Sequence, residues 1–317
     1  MDALENLLYE TRARSALFSQ SILDPPWSLR FVDGAPLTVV TMLRGHAWIM
    51  VDGLEPAPIG RGDMAVLRGP VPYTVADDPA TPPRILIDGA DHCLTPKGDD
   101  LSAETCLGPR TWGDSLNGAH ALLMGTYQAR GDVCDRLLDA LPPLLTVPDE
   151  SEHCSVLDLV AAEITRDAPG QQVVMDRMLD LLLVATLREW FERPEANTPG
   201  WYRALGDPVV GTALRLLHDD PSHPWTVASL AAKAGVSRAS LARRFTALVG
   251  EPPMSYLTSW RISLAADLLR RPEATIGSVA RQVGYANAFA LSGAFKRLRG
   301  ISPSAHRAAA MPHNHGA

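Results

Sequence analysis

Two short stretches in the last third of the sequence concentrate cationic side chains. They are RASLARR at residues 238–244 and KRLR at residues 296–299. A guanidinium fork matches the O6 and N7 acceptors of guanine as well as phosphate oxygens, whereas a lysine ammonium acts as a point charge. Both stretches therefore predict contact with a polyanion, and the arginines add the chemistry that distinguishes one base from another.

The charge distribution along the whole chain also indicates a polyanion-binding C-terminal part. Residues 201–317 contain 14 Lys and Arg against 6 Asp and Glu, a balance of +8, whereas residues 1–200 contain 15 against 30, a balance of −15. An acidic body joined to a basic C-terminal third is typical of a protein in which one part binds nucleic acid.

The first basic stretch lies in a helix-turn-helix pattern. Thr226 is a favourable N-cap before one helix, Gly235 closes that helix, and Ser237 caps the next, which runs to Gly250. The small residue Ala231 allows the two helices to approach each other. Taken alone, this spacing is shared by many helical hairpins.

The pattern occurs twice, which makes it specific. Thr226, Leu230, Ala231 and Gly235 recur 49 residues later as Thr275, Val279, Ala280 and Gly284. A helix over about residues 252–271 is predicted to connect the two units, since it starts at a proline and carries an apolar stripe. Two recognition helices on such a connector can enter successive major grooves, about 34 Å apart. The repeat therefore predicts double-stranded DNA as a partner.

The face of the first recognition helix that could read DNA follows from its periodicity. Leu241 and Phe245 share one face and are predicted to be core. The opposite face presents Arg238, Ala239, Ala242, Arg243 and Thr246. Arg243 could bind guanine through two hydrogen bonds or hold a phosphate, and the alanines could touch a thymine methyl group. Arg238 and Arg244 lie nearer the ends of the helix and favour phosphate.

The second recognition helix keeps the residues that define the helix-turn-helix pattern. It lacks most of the hydrogen-bonding side chains that could contact bases. Its exposed positions are Ala288, Phe289, Ala290, Ser292 and Gly293. Phosphate-binding groups remain at the helix N-terminus near Asn287 and in the closing residues Lys296, Arg297 and Arg299. This helix is therefore predicted to position the domain and to sense DNA shape or thymine methyl groups.

The first hundred residues consist of short apolar runs separated by turn signals. Residues 37–42, 47–51, 64–67 and 71–75 are predicted strands, and their close spacing favours an antiparallel sandwich or a small barrel. Farther on, residues 156–164 and 175–183 have helical periodicity, with Leu159 placed on the apolar face. This helix pair could cap the sheet or pair with a second subunit.

The last third resembles the DNA-binding domain of the AraC/XylS family of transcription regulators. The similarity covers residues 208–307 and includes WTVASLAAKAGVSRASLARRFTALVGEPPMSYLTSWRISLAADLLR and VARQVGYANAFALSGAFKRLRGISPSAHR. The N-terminal part is similar to the cupin-like regulatory domain of one branch of that family, through GRGDMAVLRGPVPYTVADDP and GTYQARGDVCDRLLDALPPLL.

The resemblance implies an α+β protein. Residues 1–195 are expected to form a cupin-like β-barrel with a helical dimerisation segment, followed by a linker at 196–206. An all-α domain with two helix-turn-helix motifs is expected at 207–310, and a disordered tail at 311–317. The resemblance also implies that positions 239, 242 and 243 face the bases, and that Gly293 replaces an arginine common in relatives.

The implied function is a transcription regulator, not an enzyme, in which a small-molecule effector controls a DNA-binding homodimer. If the protein is an activator, as is commoner in the family, it also contacts RNA polymerase. The candidate effector-binding residues are apolar or aromatic, although each could equally be sheet core: Trp27, Phe31, Trp48, Met50 and Tyr73. We expect a cytoplasmic protein without membrane contact, because no apolar run is long enough to span a bilayer and the N-terminus lacks a signal sequence.

Two alternatives remain open for the front half. His46, His92 and Cys93 could together bind a soft metal in a catalytic cupin, but no His-x-His pair accompanies them, so we expect neither a metal nor another cofactor. Cys93 could instead sense oxidants, since a charged His92 would favour its thiolate, and Cys154 has a histidine neighbour as well.

Overall fold

The computed structural model describes residues 4, 17–89, 92–108, 110–128, 131–149, 153–166 and 168–310. The predicted disordered tail at 311–317 lies outside these residues. The described chain divides into two compact units. Residues 17–128 and 141–196 form the sheet unit, and residues 131–140 and 197–310 form the helical unit.

The sheet unit contains two β-sheets. Its strands are β1 (Leu17–Leu23), β2 (Ser28–Phe31), β3 (Leu37–Arg44), β4 (Ala47–Val51), β5 (Ala57–Ile59), β6 (Met64–Arg68), β7 (Tyr73–Ala76), β8 (Ile85–Ile87), β9 (Cys93–Leu94), β10 (Cys106–Gly108), β11 (Thr111–Gly113), β12 (His120–Tyr127) and β13 (Leu144–Val147). One sheet has the order β10-β11-β1-β12-β3-β6-β13, and the other has the order β5-β4-β7-β2-β8-β9.

The helices follow the strands in the chain. They are α1 (Asp132–Leu138), α2 (His153–Ile164), α3 (Gln171–Glu192), α4 (Gly200–Leu205), α5 (Val210–Asp219), α6 (Val227–Lys233), α7 (Arg238–Val249), α8 (Pro253–Leu269), α9 (Ile276–Gln282), α10 (Ala288–Arg299) and α11 (Pro303–Ala310). Of the described helices, none is both long and apolar enough to cross a membrane.

The two sheets share one apolar core, as the prediction of an antiparallel sandwich or a small barrel requires. Val40 and Met42 of one sheet pack in the same cluster as Ile49 and Val75 of the other, and all four are fully buried. Apart from two parallel pairings, β1 with β11 and β2 with β8, the strands are antiparallel. The predicted strand at 71–75 begins later, at Tyr73, because the prolines at 70 and 72 cannot donate to the ladder.

Helix α3 packs on the outer face of the larger sheet. The Tyr127 hydroxyl donates to the Leu179 carbonyl at 2.9 Å, and a Cβ at position 125 would clash with a Leu179 methyl group. The buried face of α2 is formed by Leu157, Val160 and Ile164. The prediction that Leu159 belongs to this face is wrong, since its side chain is 59% exposed.

The helical unit has two cores along the connecting helix α8. Leu257 belongs to the core around α5, α6 and α7, whereas Ala265 belongs to the core around α9 and α10. The predicted linker at 196–206 is helical in its second half, because Ala204 and Trp201 of α4 pack into the first of these cores.

Candidate DNA interface and effector cavity

The two helix-turn-helix units begin with the same capping geometry. The Thr226 hydroxyl accepts the Ser229 N–H at 3.0 Å, and the Ser229 hydroxyl accepts the Thr226 N–H at 3.0 Å. Thr275 and Ser278 repeat this reciprocal pair at 3.1 Å in both directions. Each pair satisfies two backbone donors at a helix start. The repeat in the sequence is therefore also a structural repeat.

Each unit turns at a glycine in the left-handed region. Gly235 has a φ of 70° and Gly284 a φ of 82°. A Cβ at position 284 would lie 2.6 Å from the Ser222 carbonyl oxygen, so this turn needs glycine for space as well as for conformation. The following recognition helices are α7 and α10.

Helix α7 presents two unpaired guanidinium groups to solvent. Leu241 and Phe245 are fully buried, as predicted, and they fix the orientation of the helix. Arg238, Ala239 and Arg243 are exposed on the other side, and Ala242 is half-buried beside them. Neither Arg238 nor Arg243 has an ion-pair partner among the described residues. Both guanidinium groups are therefore accessible to a ligand from solvent.

Arg244 has a different environment. Its Nη2 lies 2.8 Å from Asp207 Oδ2, while Asp207 Oδ1 accepts the N–H groups of Val209 and Val210 at 2.9 and 2.8 Å. Burial alone would raise the pKa of Asp207, but these hydrogen bonds and the arginine lower it below its usual value. Arg244 thus stabilises the start of α5 and is only partly available to a phosphate.

The exposed face of α10 is apolar and uneven. Asn287 caps the helix, and its side-chain oxygen accepts the Ala290 N–H at 2.9 Å. Phe289 is 89% exposed, and Gly293, one turn later on the same face, leaves open space where a side chain would stand. Ala288 and Ser292 are half-buried. The helix offers one large apolar group to a partner and few hydrogen bonds.

The cations that close α10 fall into two groups. Lys296 and Arg297 are exposed and have no ion-pair partner among the described residues. Arg299 instead forms an ion pair with Asp132 of α1, whose carboxylate also lies 3.8 Å from Arg270. A DNA phosphate would therefore have to compete with the Asp132 carboxylate for Arg299.

Helix α1 docks on the connector α8 through its N-terminus. Asp267 accepts the Asp132 N–H at 2.7 Å and the Val133 N–H at 3.0 Å, one with each carboxylate oxygen. The Arg136 guanidinium lies 5.4 Å from the centre of the Tyr256 ring and 5.7 Å from that of Trp260, which adds cation–π attraction. The carboxylate of α8 thus serves as the N-terminal cap of α1.

Sequence reasoning missed this helix. The stretch 94–150 reads as loop-rich apart from a strand at Ala121–Tyr127. A signal was nevertheless present, since Val133, Leu137 and Leu141 have helical spacing before the prolines at 142 and 143, and all three are buried.

The sheet unit contains a cavity of about 180 Å³ between its two sheets. Its walls come from β1, β2, β8, β9, β11 and β12, with Gln172 from the start of α3. Leu29, Ile85, Ile87 and Met124 provide apolar surface, and Arg110 is the one cationic lining residue in the described chain. Sequence reasoning did not single out Arg110, because nothing local marks it as part of a cavity.

The predicted effector-binding residues lie in several places. Of the five, Phe31 lines this cavity and stacks on Tyr73, with ring centres 4.8 Å apart. Trp27 is buried, and its indole N–H donates to His120 Nδ1 at 2.8 Å. Trp48 and Met50 are half-buried at alternate positions of β4, on the side away from the shared core.

The predicted metal and thiol residues are also dispersed. The ring of His46 lies 5.1 Å from that of His120, and burial lowers the pKa of His120 below its usual value. No group of three His, Cys, Asp or Glu side chains among the described residues is placed to hold a metal ion. Cys93 is half-buried and lines the cavity. The side chain of Cys154 lies outside the described residues.

Known proteins match the chain in both parts. A cupin family matches residues 2–192, and a helix-turn-helix domain family matches residues 230–309. A Streptomyces lividans protein named as an AraC-like transcription regulator is 36% identical over 312 residues, which covers 97% of this chain and 98% of the relative. A Streptomyces antibioticus protein of the same name is 34% identical over 317 residues, covering 98% and 100%. Among solved structures, the DNA-binding domain of AdpA in complex with a target DNA is 35% identical, covers 33% of this chain and 93% of that one, and has a TM-score of 0.31.

The matches coincide with the architecture. The cupin match covers all thirteen described strands together with α1, α2 and α3, and the helix-turn-helix match covers the second helix-turn-helix unit and most of the first. The α+β fold and the order of the two domains implied by the resemblance are thereby confirmed. With the cupin match over more than half of the sequence and relatives aligned along almost their full length, the chain belongs to the AraC family of DNA-binding transcription regulators with an N-terminal cupin-type domain.

Proposed function

We propose that a small molecule bound in the cavity of the sheet unit controls DNA binding by the helical unit. The observation that carries this proposal is the cavity itself, which is walled by apolar side chains and contains a few polar groups. Concave, mostly apolar sites with a small number of placed polar groups are typical of small-molecule binding. Of the five predicted effector-binding residues, the proposed site keeps Phe31, and it adds Ile87 and the other lining residues of the cavity.

The proposal is tested by filling the cavity. Ile87→Trp adds bulk at a lining position that is only half-buried, so the fold should tolerate it. The full-length variant should still bind promoter DNA. Its affinity for DNA should no longer change when metabolites from a cell extract are added. Arg84→Gln, which changes an exposed residue outside the cavity, is the matched control. A variant that responds as the parent does would show that control does not pass through this cavity.

Oxidant sensing is a second candidate, favoured by the position of Cys93 in the same cavity. Cys93→Ser should abolish an oxidant response of DNA binding, whereas Cys106→Ser, at an exposed cysteine outside the cavity, should not. An unchanged response in the Cys93 variant would leave this thiol without a sensing role.

DNA reading is proposed to be divided unequally between the two units. Arg243 would supply the hydrogen-bonded base contact, with Ala239 and Ala242 beside it, and Arg238 would hold a phosphate. Helix α10 would contribute Phe289 to apolar contacts, while Lys296 and Arg297 hold phosphates. The support is the exposure of most of these groups and the absence of long hydrogen-bonding side chains at positions 288–293 of α10.

Binding-site selection with the full-length protein tests this division. The bases under the first unit should carry more information than those under the second, because methyl contacts discriminate less than a bidentate arginine. Equal or greater information under the second unit would overturn the division.

A homodimer joined through α2 and α3 is the third element of the proposal. Large apolar side chains on this helix pair face solvent: Leu159 is 59% exposed, Val173 61% and Leu181 52%. Such a patch is typical of an interaction surface. Leu181→Asp should convert a dimer to a monomer in light scattering, whereas Leu54→Asp, at an exposed position in the β4–β5 turn, should not. A parent protein that is monomeric at micromolar concentration would refute this element.

A further inference from the structure

Arg110 has an unusual backbone conformation beside the cavity. It lies between β10 and β11 with a φ of 52°, in the left-handed region that residues other than glycine seldom adopt. The Arg110 carbonyl oxygen accepts the Gln20 N–H of β1 at 2.9 Å, which holds this backbone at the cavity wall. Such conformations persist where the surrounding structure enforces them and concentrate at ligand sites.

The Arg110 guanidinium is held by neutral groups. Its Nη1 donates to Gln171 Oε1 at 2.5 Å, and its Nη2 donates to Gln172 Oε1 at 2.8 Å. No carboxylate pairs with it among the described residues. An arginine side chain has five N–H donors. Its charge therefore remains without a counter-ion, and several of its donors remain available to a ligand.

The two glutamines cannot turn away from the arginine easily. The Gln171 amide nitrogen donates to the Glu163 carbonyl at 2.7 Å and also to the Arg166 carbonyl, which closes the connection between α2 and α3. The Gln172 amide nitrogen donates to Asp176 at 2.7 Å. Both amide oxygens are thereby aimed at Arg110. The first two residues of α3 thus hold the Arg110 guanidinium in place, and the guanidinium in turn orients their side chains.

Two carboxylates also line the cavity, and each accepts a hydrogen bond from the backbone. Asp114 Oδ2 accepts the Asp24 N–H at 3.0 Å, and Asp33 Oδ1 accepts the Ala35 N–H at 3.4 Å. Burial raises the pKa of Asp33 above its usual value. Hydrogen bonds between a guanidinium and an anionic oxygen are about twice as strong as those between neutral groups. An anion would therefore bind Arg110 more strongly than an uncharged polar group could.

We propose that Arg110 selects the effector, and that this effector is a small organic anion, a carboxylate or sulfonate carried on an apolar body. The anion binds the Arg110 guanidinium while the apolar body lies against Ile85, Ile87 and Met124. Its oxygens bind the N–H groups that remain available and draw the guanidinium away from Gln171 and Gln172. Binding therefore loosens the start of α3, the helix that carries much of the exposed apolar patch. This inference rests on the ligand-binding role proposed for the cavity.

The test uses two fluorescent probes that differ by one charged group. 1-Anilinonaphthalene-8-sulfonate and N-phenyl-1-naphthylamine share an apolar ring system, but only the first is an anion. The full-length protein should bind both. Arg110→Gln should weaken sulfonate binding about tenfold, equivalent to about 1.4 kcal/mol, and change binding of the neutral probe less than twofold. Arg110→Lys should retain part of the preference, and Arg84→Gln should leave both affinities unchanged.

A second measurement needs no variant of Arg110. Hydrogen exchange of the amides at 172–176 should become faster when the parent protein binds the sulfonate and should not change with the neutral probe. Equal loss of both probes in Arg110→Gln, or unaltered sulfonate binding, would overturn the assignment of Arg110. If Ile87→Trp affects neither probe, the cavity is not their binding site, and the proposed function fails together with this inference.

Discussion

The contact between α1 and α8 allows a quantitative prediction. Asp267→Ala removes the carboxylate that accepts the N–H groups of Asp132 and Val133 at 2.7 and 3.0 Å. Val133 is fully buried, so water cannot readily replace the lost acceptor. Removing an N-cap costs about 0.5–2 kcal/mol, and each hydrogen bond to a charged group contributes about 1.5–3 kcal/mol. Because both bonds share one carboxylate, we expect α1 docking to weaken by about 2–3 kcal/mol.

Native-state hydrogen exchange of the full chain measures this loss where it occurs. The amides of α1 should exchange about 30- to 140-fold faster in the variant, since about 1.4 kcal/mol corresponds to a factor of ten. The buried amides of β3 and β12 in the sheet unit should be unaffected. Asp267→Asn keeps one carbonyl acceptor and should have roughly half the effect.

Glu273→Ala is the matched control, because Glu273 is an exposed acid shortly after the same helix. It removes one negative charge without removing a cap. Exchange in α1 that is equal in the parent and in Asp267→Ala would show that the two hydrogen bonds do not hold this helix. Equal acceleration in Glu273→Ala would assign the effect to net charge.

Three further predictions concern charge and pH. Arg243→Ala should cost about 1–3 kcal/mol on the cognate DNA site and relax preference at one base pair, whereas a uniform loss on every sequence would identify a phosphate contact. Asp132→Asn should free Arg299 for phosphate, so nonspecific DNA binding should strengthen and its salt slope should steepen by about one ion; an unchanged slope in salt titrations would refute this. Burial lowers the pKa of His218 to about 3, so the folded chain favours the neutral ring, and this stability is lost as the pH falls below the unfolded value of about 6.5. The helical unit should therefore lose about 2 kcal/mol between pH 7 and pH 5 in urea unfolding monitored by tryptophan fluorescence, and His218→Gln should remove most of that loss.

The features that could be predicted from the sequence are those fixed by neighbouring residues. The capping boxes at Thr226 and Thr275 close within four residues, so the repeat in the sequence was sufficient to locate both helix-turn-helix units. The buried face of α7 follows from a 3.6-residue period. Strand β4 was predicted with correct bounds because a turn signal, Asp52-Gly53, ends it.

The features that escaped prediction depend on contacts between distant residues. Arg110 meets Gln171 across 61 positions, and Asp132 meets Asp267 across 135, so no local pattern could reveal either pair. The same limit explains the wrong prediction for Leu159. Its position in the helical repeat fits the apolar face, but its side chain is exposed. Helical periodicity alone does not predict which of two adjacent apolar residues packs against the core.

The sparse hydrogen-bonding surface of the two recognition helices bears on the oligomeric state. One bidentate arginine discriminates by about 1–3 kcal/mol, whereas specific DNA-binding proteins prefer their sites over other DNA by about 4–10 kcal/mol. Arg243 in a single copy would therefore fall short, and Phe289 adds only apolar contact. Two copies would double the arginine contribution to about 2–6 kcal/mol and reach the lower part of that range. The exposed apolar patch on α2 and α3 and the small number of base contacts proposed for α7 and α10 both support the proposal of a symmetric dimer on a two-part DNA site.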